Sequence, residues 1–303
     1  MTMSAPIGPW VASTIAAPDV DAVEKSYVEW LDHRVVRRGT VSEALARSWG
    51  APKLAGAKMS ILEPDSGKQV YLRVVENPHP EGFRPLTTYG WASSELVVQN
   101  VDALQERMKK SPFKIIGPAN DLEMLKDIRA MQVVGHAGEV FYLTMFKKNI
   151  EGYDLPTAHS FIDRMFIAVL ATDRPERVQS WYKQHFGIAV GDLADIKLTL
   201  LDDAFGVPPR SGDYRLTVVP FRGRSLIEVD GYPREARPRA RVDGVLPPGN
   251  ALMSVLVDSL DGLKLKYFRE PTLFAEAPYH GRRAATVLGA MGELLELVER
   301  EAA

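Results

Sequence analysis

The chain has 303 residues, a length that typically divides into about two domains. Hydrophobic residues make up 46% and charged residues 25%, a mixture that excludes a largely disordered chain. The formal net charge of −2 gives no electrostatic reason to expect nucleic acid or an anionic membrane as a partner. The sequence holds no cysteine, which excludes disulfides, thiolate metal sites and cysteine nucleophiles.

The first elements in chain order are a strand, a helix and further strands. A strand is predicted over 10–17, and Asp19 is placed to cap the helix that follows. This helix has one apolar face at helical spacing, formed by Val20, Val23, Tyr27, Val28 and Leu31. Further strands are predicted over 57–64 and 69–77, separated by a turn-like segment.

The same order of elements occurs three more times. Helices are predicted over 100–111, 174–186 and 259–268. The predicted strands are 93–99, 113–119, 128–135, 139–146, 215–221, 224–230, 251–258, 283–289 and 293–299. The chain therefore reads as four modules, each with the order strand–helix–strand–strand–strand.

An internal repeat relates the two halves of the chain. Asp19 lies over Asp173 at an offset of 154, and the same offset places GHAGEVFYL (135–143) over GAMGELLEL (289–297). The halves run over about 1–150 and 158–303 and are joined by a polar segment that contains Gly and Pro. Two modules per half are the expected consequence of a duplication.

The fourfold βαβββ order, the Asp that enters the first helix and the closing Gly-Glu strand resemble the vicinal oxygen chelate superfamily. This group includes glyoxalase I, extradiol dioxygenases and bleomycin-resistance proteins. The resemblance implies an α+β fold in which four βαβββ modules form two cup-shaped mixed β-sheet domains. It also implies an N-terminal pair of modules over 1–150 and a C-terminal pair over 158–303, which carries the active or binding cup.

The resemblance further implies a metal held by two His or Gln residues from first strands and one or two Glu residues from last strands. Only Glu228 and Glu296 match these positions. The other positions fall on Ala12, Arg73, Ser93, Tyr142, Phe166 and Leu252, and a slip of two residues brings in Arg164 and Asn250. The metal site is therefore expected to be degraded and no cofactor is expected, with a divalent metal at Glu228 and Glu296 as the alternative.

Three residues are candidates for catalysis. Two carboxyl groups in one dry cup, Glu228 and Glu296, would have one raised pKa and work as an acid and a base. His280 stands in the loop expected at the mouth of the cup, where an imidazole would transfer protons. The candidates for substrate binding are Tyr279, Arg282, Tyr214, Phe166 and Leu252.

The sequence leaves three functions open. The first is a metal-independent isomerase or lyase acting on an apolar small molecule, with aromatic compounds among the candidates. The second is a non-catalytic protein that binds or sequesters small molecules, and the third is a metal-dependent extradiol dioxygenase or a glyoxalase-like enzyme. A small molecule is the expected partner, without nucleic acid or membrane, and a homodimer is left open. The N-terminus lacks signal-peptide features and no apolar run reaches membrane-spanning length, so a cytoplasmic location is expected.

Overall fold

A computed structural model describes residues 6–123, 125–150 and 154–300. Its first module contains strand β1, helix α1, strand β2, helix α2 and strands β3 and β4. Their bounds are Ile7–Ala17, Val20–Trp30, His33–Thr40, Glu43–Ser48, Lys58–Pro64 and Tyr71–Glu76. The expected cap is confirmed, because the Asp19 carboxylate accepts a hydrogen bond from the Ala22 backbone N–H at 3.0 Å.

The second module contains β5, α3, β6, β7 and β8, with bounds Gly90–Val98, Val101–Met108, Lys114–Asp121, Ile128–Val134 and Val140–Phe146. The third contains β9, α4, β10, α5, β11 and β12. Their bounds are Ile162–Thr172, Pro175–Phe186, Ala194–Ile196, Thr199–Phe205, Tyr214–Phe221 and Ser225–Gly231. The fourth contains β13, β14, β15 and β16, with bounds Gly249–Val257, Thr272–Phe274, Arg282–Leu288 and Leu294–Glu299.

The helix predicted over 259–268 is wrong. Every residue from 258 to 271 is described, and none of them is helical. Leu263, Leu265 and Tyr267 alternate with lysines and pack against the main core, which is the two-residue period of extended chain. The fourth module therefore crosses without a helix.

Two eight-stranded sheets form the molecule. The first sheet, called cup 1, has the order β14-β15-β16-β13-β1-β4-β3-β2. The second sheet, called cup 2, has the order β10-β11-β12-β9-β5-β8-β7-β6. The α+β fold with two curled mixed sheets built from four modules is confirmed.

The modules pair differently from the expectation that each half builds its own cup. β1 pairs antiparallel with β13, and β5 pairs antiparallel with β9. Cup 1 therefore joins the first and fourth modules, while cup 2 joins the second and third. Because the first strands of the duplicated modules resemble one another, sequence similarity alone does not determine which two of them pair.

Three apolar clusters stabilise this arrangement. The main core fills the space between the two sheets and α1, α3 and α4. A second cluster covers the other face of cup 1 and includes Ala12, Tyr71, Leu252 and Tyr279. A third covers the corresponding face of cup 2 and includes Phe166, Val169 and Tyr232. No helix among the described residues is long and apolar enough to cross a membrane.

Candidate functional site

A buried ion pair occupies the centre of cup 1. Arg73 on β4 donates from Nη2 to Oε2 of Glu296 on β16 at 3.0 Å, and both side chains are fully buried. The sequence places these two residues in different halves of the chain. Parallel pairing sets Arg73 beside Thr14 and Glu296 beside Ser254, so the four side chains meet on one face of the sheet.

The remaining donors of Arg73 are nearly all used. Its Nε donates to the Thr14 hydroxyl at 2.9 Å, and its Nη1 donates to the Tyr279 hydroxyl at 2.6 Å. Its Nη2 also donates to the Ser254 hydroxyl at 3.2 Å. The guanidinium lies 4.5 Å from the centre of the Trp49 ring, a distance that allows a cation–π interaction.

Glu296 accepts four hydrogen bonds. Oε1 receives Nε1–H of Trp49 and the hydroxyl of Tyr279, both at 2.7 Å. Oε2 receives Nη2–H of Arg73 at 3.0 Å and the hydroxyl of Ser254 at 2.5 Å. Each oxygen of this carboxylate already accepts two hydrogen bonds. The Glu296 side chain is therefore well suited to stabilise the packing of cup 1, and it has little capacity left to bind a substrate.

In cup 2, by contrast, the central carboxyl groups form no ion pair within the described part of the chain. Glu95 on β5 accepts a hydrogen bond from the Thr144 hydroxyl at 2.5 Å. Burial, followed by the charge of Glu228, raises the pKa of Glu95 to about 8. Burial also raises the pKa of Glu228, on β12, to about 7. At neutral pH one of the two carboxyl groups is therefore protonated.

A third acid faces the same cup. Asp230 is two residues beyond Glu228 on β12, and burial together with the charges of Glu228 and Glu95 raises its pKa. Its Oδ1 and the hydroxyl of Tyr232 have no hydrogen-bond partner among the described residues. Burial also raises the pKa of Tyr142 on β8, with Asp230 as the next cause. The polar groups of cup 2 are therefore incompletely satisfied.

The structure separates the two glutamates that the sequence analysis placed in one site. Glu228 lies in cup 2 and Glu296 lies in cup 1, because the third and fourth modules belong to different sheets. This strand arrangement therefore does not support the expectation that they form one acid–base pair, nor the alternative that they share a divalent metal. The partner of Glu228 is Glu95, which comes from the second module.

His280 is also remote from Glu228. It is exposed at the rim of cup 1, where its Nε2 lies 2.8 Å from the Tyr71 hydroxyl. Tyr279 reaches the centre of cup 1, whereas Arg282 donates from Nη2 to the Pro278 carbonyl at 2.7 Å. The catalytic role of His280 and the binding role of Arg282 stay predictions, and both belong to cup 1.

The remaining predicted residues line the cups. Leu252 is a buried residue of the apolar face of cup 1, and Phe166 is a buried residue of the apolar face of cup 2. Phe166 packs edge-on against Phe146, with ring centres 5.6 Å apart. Tyr214 donates to the Asp202 carboxylate at 2.9 Å on the same side of cup 2. Contact between any of these residues and a substrate stays a prediction.

The chain matches no protein-family model and no curated protein. Among solved structures it is similar to glyoxalase I from Zea mays, with 14% identity, a TM-score of 0.58 and coverage of 96% of this chain and 92% of that one. It is also similar to a protein of Bacillus subtilis named as a "putative dioxygenase", with 11% identity, a TM-score of 0.62 and coverage of 99% and 87%. The chain has the vicinal oxygen chelate fold. At these identities the likeness concerns the fold alone.

The metal that this fold family implies does not fit either cup. The centre of cup 1 holds the guanidinium of Arg73, and its positive charge repels a metal ion. Cup 2 offers the carboxyl groups of Glu95, Glu228 and Asp230 but, within the described ranges, no imidazole. Among the described residues, no group of three or more His, Cys, Asp or Glu side chains is arranged to hold a metal.

Sequence reasoning missed Glu95, Thr14 and Ser254. In each case it named the residue two positions earlier on the same strand: Ser93, Ala12 and Leu252. β5 has register shifts on both sides of Glu95 where it pairs with β9, and such irregularities are not visible in the sequence. The available signal was a lone charged residue, Glu95, inside an apolar strand.

Proposed function

We propose that cup 2 catalyses proton transfer on a small organic molecule, with Glu228 as the base and Glu95 as the acid. The observation that carries this proposal is the placement of two acids on the strands that flank β9, Glu228 on β12 and Glu95 on β5. Burial there raises the pKa of Glu228 to about 7 and that of Glu95 to about 8. Carboxyl groups whose pKa values are raised by burial and by a neighbouring acid are typical of acid–base sites. The fold adds support, since the pair sits at the centre of a cup.

The proposed chemistry needs only the groups of this chain. The Glu228 carboxylate removes a proton from a carbon next to a carbonyl group, while the protonated Glu95 donates its proton to the carbonyl oxygen. An enol results, and the charges of the two glutamates are exchanged. In a β,γ-unsaturated carbonyl compound this enol is a dienol, so return of the proton from Glu228 to the γ carbon and of the enol proton to Glu95 gives the conjugated isomer and restores both groups.

The surroundings of the pair favour an apolar substrate. Phe166, Val169 and Tyr232 contribute to the buried cluster on this face of cup 2. The phenol of Tyr142 lies near the acids and gives the site a further hydrogen-bonding group. We therefore propose small carbonyl compounds, aromatic ones included, as the substrate class.

Deuterium uptake tests this proposal even where the product has not been identified. The wild-type protein is incubated in D₂O with a panel of apolar ketones and aldehydes, and mass spectrometry follows incorporation next to the carbonyl group. We expect Glu228→Gln to abolish enzyme-dependent exchange, because an amide does not accept the proton. Glu95→Gln is expected to slow exchange about 100-fold or more, the usual effect of losing a general acid.

Glu293→Gln is the matched control. Glu293 is also a buried glutamate with a pKa raised to about 7, but it bonds the Met291 backbone in the turn before β16 and lies outside both cups. Its substitution is expected to leave exchange unchanged. Exchange that survives Glu228→Gln, or that Glu293→Gln abolishes equally, contradicts the proposal. The cytoplasmic location and the oligomeric state stay predictions.

A further inference from the structure

We propose that residues 197–213 form a gate that opens to give access to the acids of cup 2. This segment, called cover 2, contains α5 and connects β10 to β11. Leu201 of α5 belongs to the same buried cluster as Phe166 and Val169 of β9, so the cover packs on that face of cup 2. The purpose of the gate rests on the proposed proton-transfer function, whereas its opening is measured separately.

The closed molecule does not expose both glutamates to a substrate. Val169 pairs with Glu228 in the ladder of β9 and β12, so the two side chains point to the same face of the sheet. Glu228 is partly exposed there, but Glu95 is only 7% exposed. A substrate that meets both carboxyl groups therefore requires part of the covering chain to move.

The two ends of cover 2 lie side by side, which allows the segment to move as a unit. Ile196, the last residue of β10, pairs with Tyr214, the first residue of β11. An ion pair between Lys197 and Asp213 joins the next positions along the chain. The cover thus leaves and re-enters the sheet at one place, as an Ω-loop does, and it can swing outward without breaking a strand ladder.

Little of α5 is buried against the cup. Only Leu201 and Asp202 of its seven residues are buried, and no side chain caps its first turn. Leu198, Leu200 and Phe205 also pack against the cluster, but they are only partly buried. Because the apolar area removed from water is small, opening of the cover costs less free energy than unfolding of the sheet.

Asp202 provides the main polar attachment. Its Oδ1 accepts hydrogen bonds from the Tyr214 hydroxyl at 2.9 Å and from the Gly212 backbone N–H at 3.0 Å. Its Oδ2 accepts the Arg210 backbone N–H at 2.6 Å. The two backbone bonds stay within cover 2, so the Tyr214 hydroxyl is the group that ties Asp202 to the sheet.

Two further contacts of cover 2 lie at the surface. Arg210 forms an ion pair with Glu123 of the second module, and both side chains are more than half exposed. Arg84 donates to the Ala204 carbonyl at 3.3 Å, also in an exposed position. Exposed contacts of this kind contribute little stability, so they do not keep the cover closed.

The corresponding segment of cup 1, residues 41–57, is firmly attached and is called cover 1. It leaves the sheet after β2 and re-enters at β3, and these two strands pair in the same way. Its Trp49 is fully buried and donates from Nε1 to Oε1 of Glu296 at 2.7 Å, at the centre of cup 1. The Ser42 side chain caps α2. Cover 1 is therefore expected to stay closed, which makes it the internal control for cover 2.

Thiol labelling of the native protein measures the opening of each cover. The chain has no cysteine, so Leu201→Cys and Leu45→Cys each introduce a single thiol. Both leucines are buried at the third position of their helices, α5 and α2. We expect the thiol at position 201 to react with the reagent DTNB at least about tenfold faster than the thiol at position 45. Low concentrations of urea should leave its rate unchanged, because local opening exposes little surface.

Tyr214→Phe is the variant that weakens the attachment. In the Leu201→Cys background it should speed labelling about tenfold or more, the usual effect of losing a hydrogen bond to a charged group. Tyr71→Phe is the matched control, because the Tyr71 hydroxyl lies beside His280 at the rim of cup 1. This control should leave labelling at position 201 unchanged.

Equal labelling at positions 201 and 45, or labelling at position 201 that requires global unfolding, would overturn the inference. Hydrogen–deuterium exchange of the wild-type protein is a second measurement that needs no variant. The backbone amides of α5 should exchange faster than those of α2, and equal or slower exchange would also overturn it. Local opening without deuterium uptake by the ketone panel would reject the acid–base role and keep the gate, whereas uptake without local opening would do the reverse.

Discussion

The two cups share a strand order and differ in the charges at their centres. Cup 1 brings one arginine and one glutamate together, and hydrogen bonds from Trp49, Tyr279 and Ser254 complete the network. Cup 2 contains Glu95 and Glu228, and burial raises the pKa values of both, with the charge of Glu228 as a further cause for Glu95. One cup is electrostatically satisfied, while the other retains groups able to exchange protons.

The difference comes down to two strand positions, since the paired residues Thr14 and Arg73 of cup 1 correspond to the paired residues Glu95 and Tyr142 of cup 2. Arg73 on β4 supplies the cation of cup 1, and the sequence alignment of the modules places Tyr142 at the corresponding position on β8. A phenol does not neutralise a carboxylate, so the acids of cup 2 stay uncompensated. The same fold thus supports a structural ion pair in one sheet and a candidate proton-transfer site in the other.

The largest expected effect comes from breaking the pair in cup 1. Arg73→Met and Glu296→Leu should each lower the free energy of unfolding by about 3–5 kcal/mol, because each leaves a buried charge without its partner. The double variant should recover most of this loss, since two apolar side chains leave no charge to desolvate. Urea denaturation of the three variants measures these differences in a double-mutant cycle. Losses that simply add would show that the two residues do not act as a pair.

An intermediate effect is expected from Glu95→Gln in cup 2, and it depends on pH. Because the pKa of Glu95 is raised to about 8, the folded protein holds its proton more tightly than the unfolded chain. The contribution of Glu95 to the free energy of unfolding is fully present below about pH 4.3, which is the pKa of glutamate in the unfolded chain. This contribution is lost as the pH rises from there through about 8, which is the pKa of Glu95 in the folded protein. Glu95→Gln should remove this loss, so relative to the wild type it should be more stabilising at about pH 9 than at about pH 5, by up to about 4 kcal/mol.

Denaturation at these two pH values measures the effect. Glu139 and Glu293 also have pKa values raised to about 7, and their contributions are common to the wild type and the variant. Glu81→Gln, at an exposed position, provides the matched control and should show no such pH dependence. A Glu95→Gln variant that is equally stabilised at both pH values would show that ionisation is not the cause.

The smallest effect is expected at the rim of cup 1. Arg37→Ala removes a partly exposed ion pair with Glu276 and should change the free energy of unfolding by less than about 0.5 kcal/mol. The neighbouring Arg38, which pairs with Glu24 on the other face of β2, is the control. A large loss with Arg37→Ala alone would mean that the rim pair holds the two modules together, and the contrast between rim and centre would then fail.

Much of the fold could be predicted from local patterns. The repeat at an offset of 154 indicated four modules, and Asp19 and the apolar face of α1 located the first helix. The segment 259–268 was misassigned because its leucines also fit a helix, although Leu263, Leu265 and Tyr267 alternate as in extended chain. The last-strand positions of Arg73, Glu228 and Glu296 were found because each module closes on a recognisable strand.

The sequence by itself determined the modules, their elements and the glutamates of their last strands, because hydrophobic periodicity and capping act over a few residues. Only the tertiary structure decided which modules share a sheet. The shared sheet in turn decides which charged side chains lie close together. Glu296 is neutralised by Arg73, 223 residues away in the chain, and the pKa of Glu95 is raised further by the charge of Glu228 from another module. The pKa of a buried group depends on neighbours brought by strand pairing, and similar strands of a duplicated chain do not encode that pairing locally.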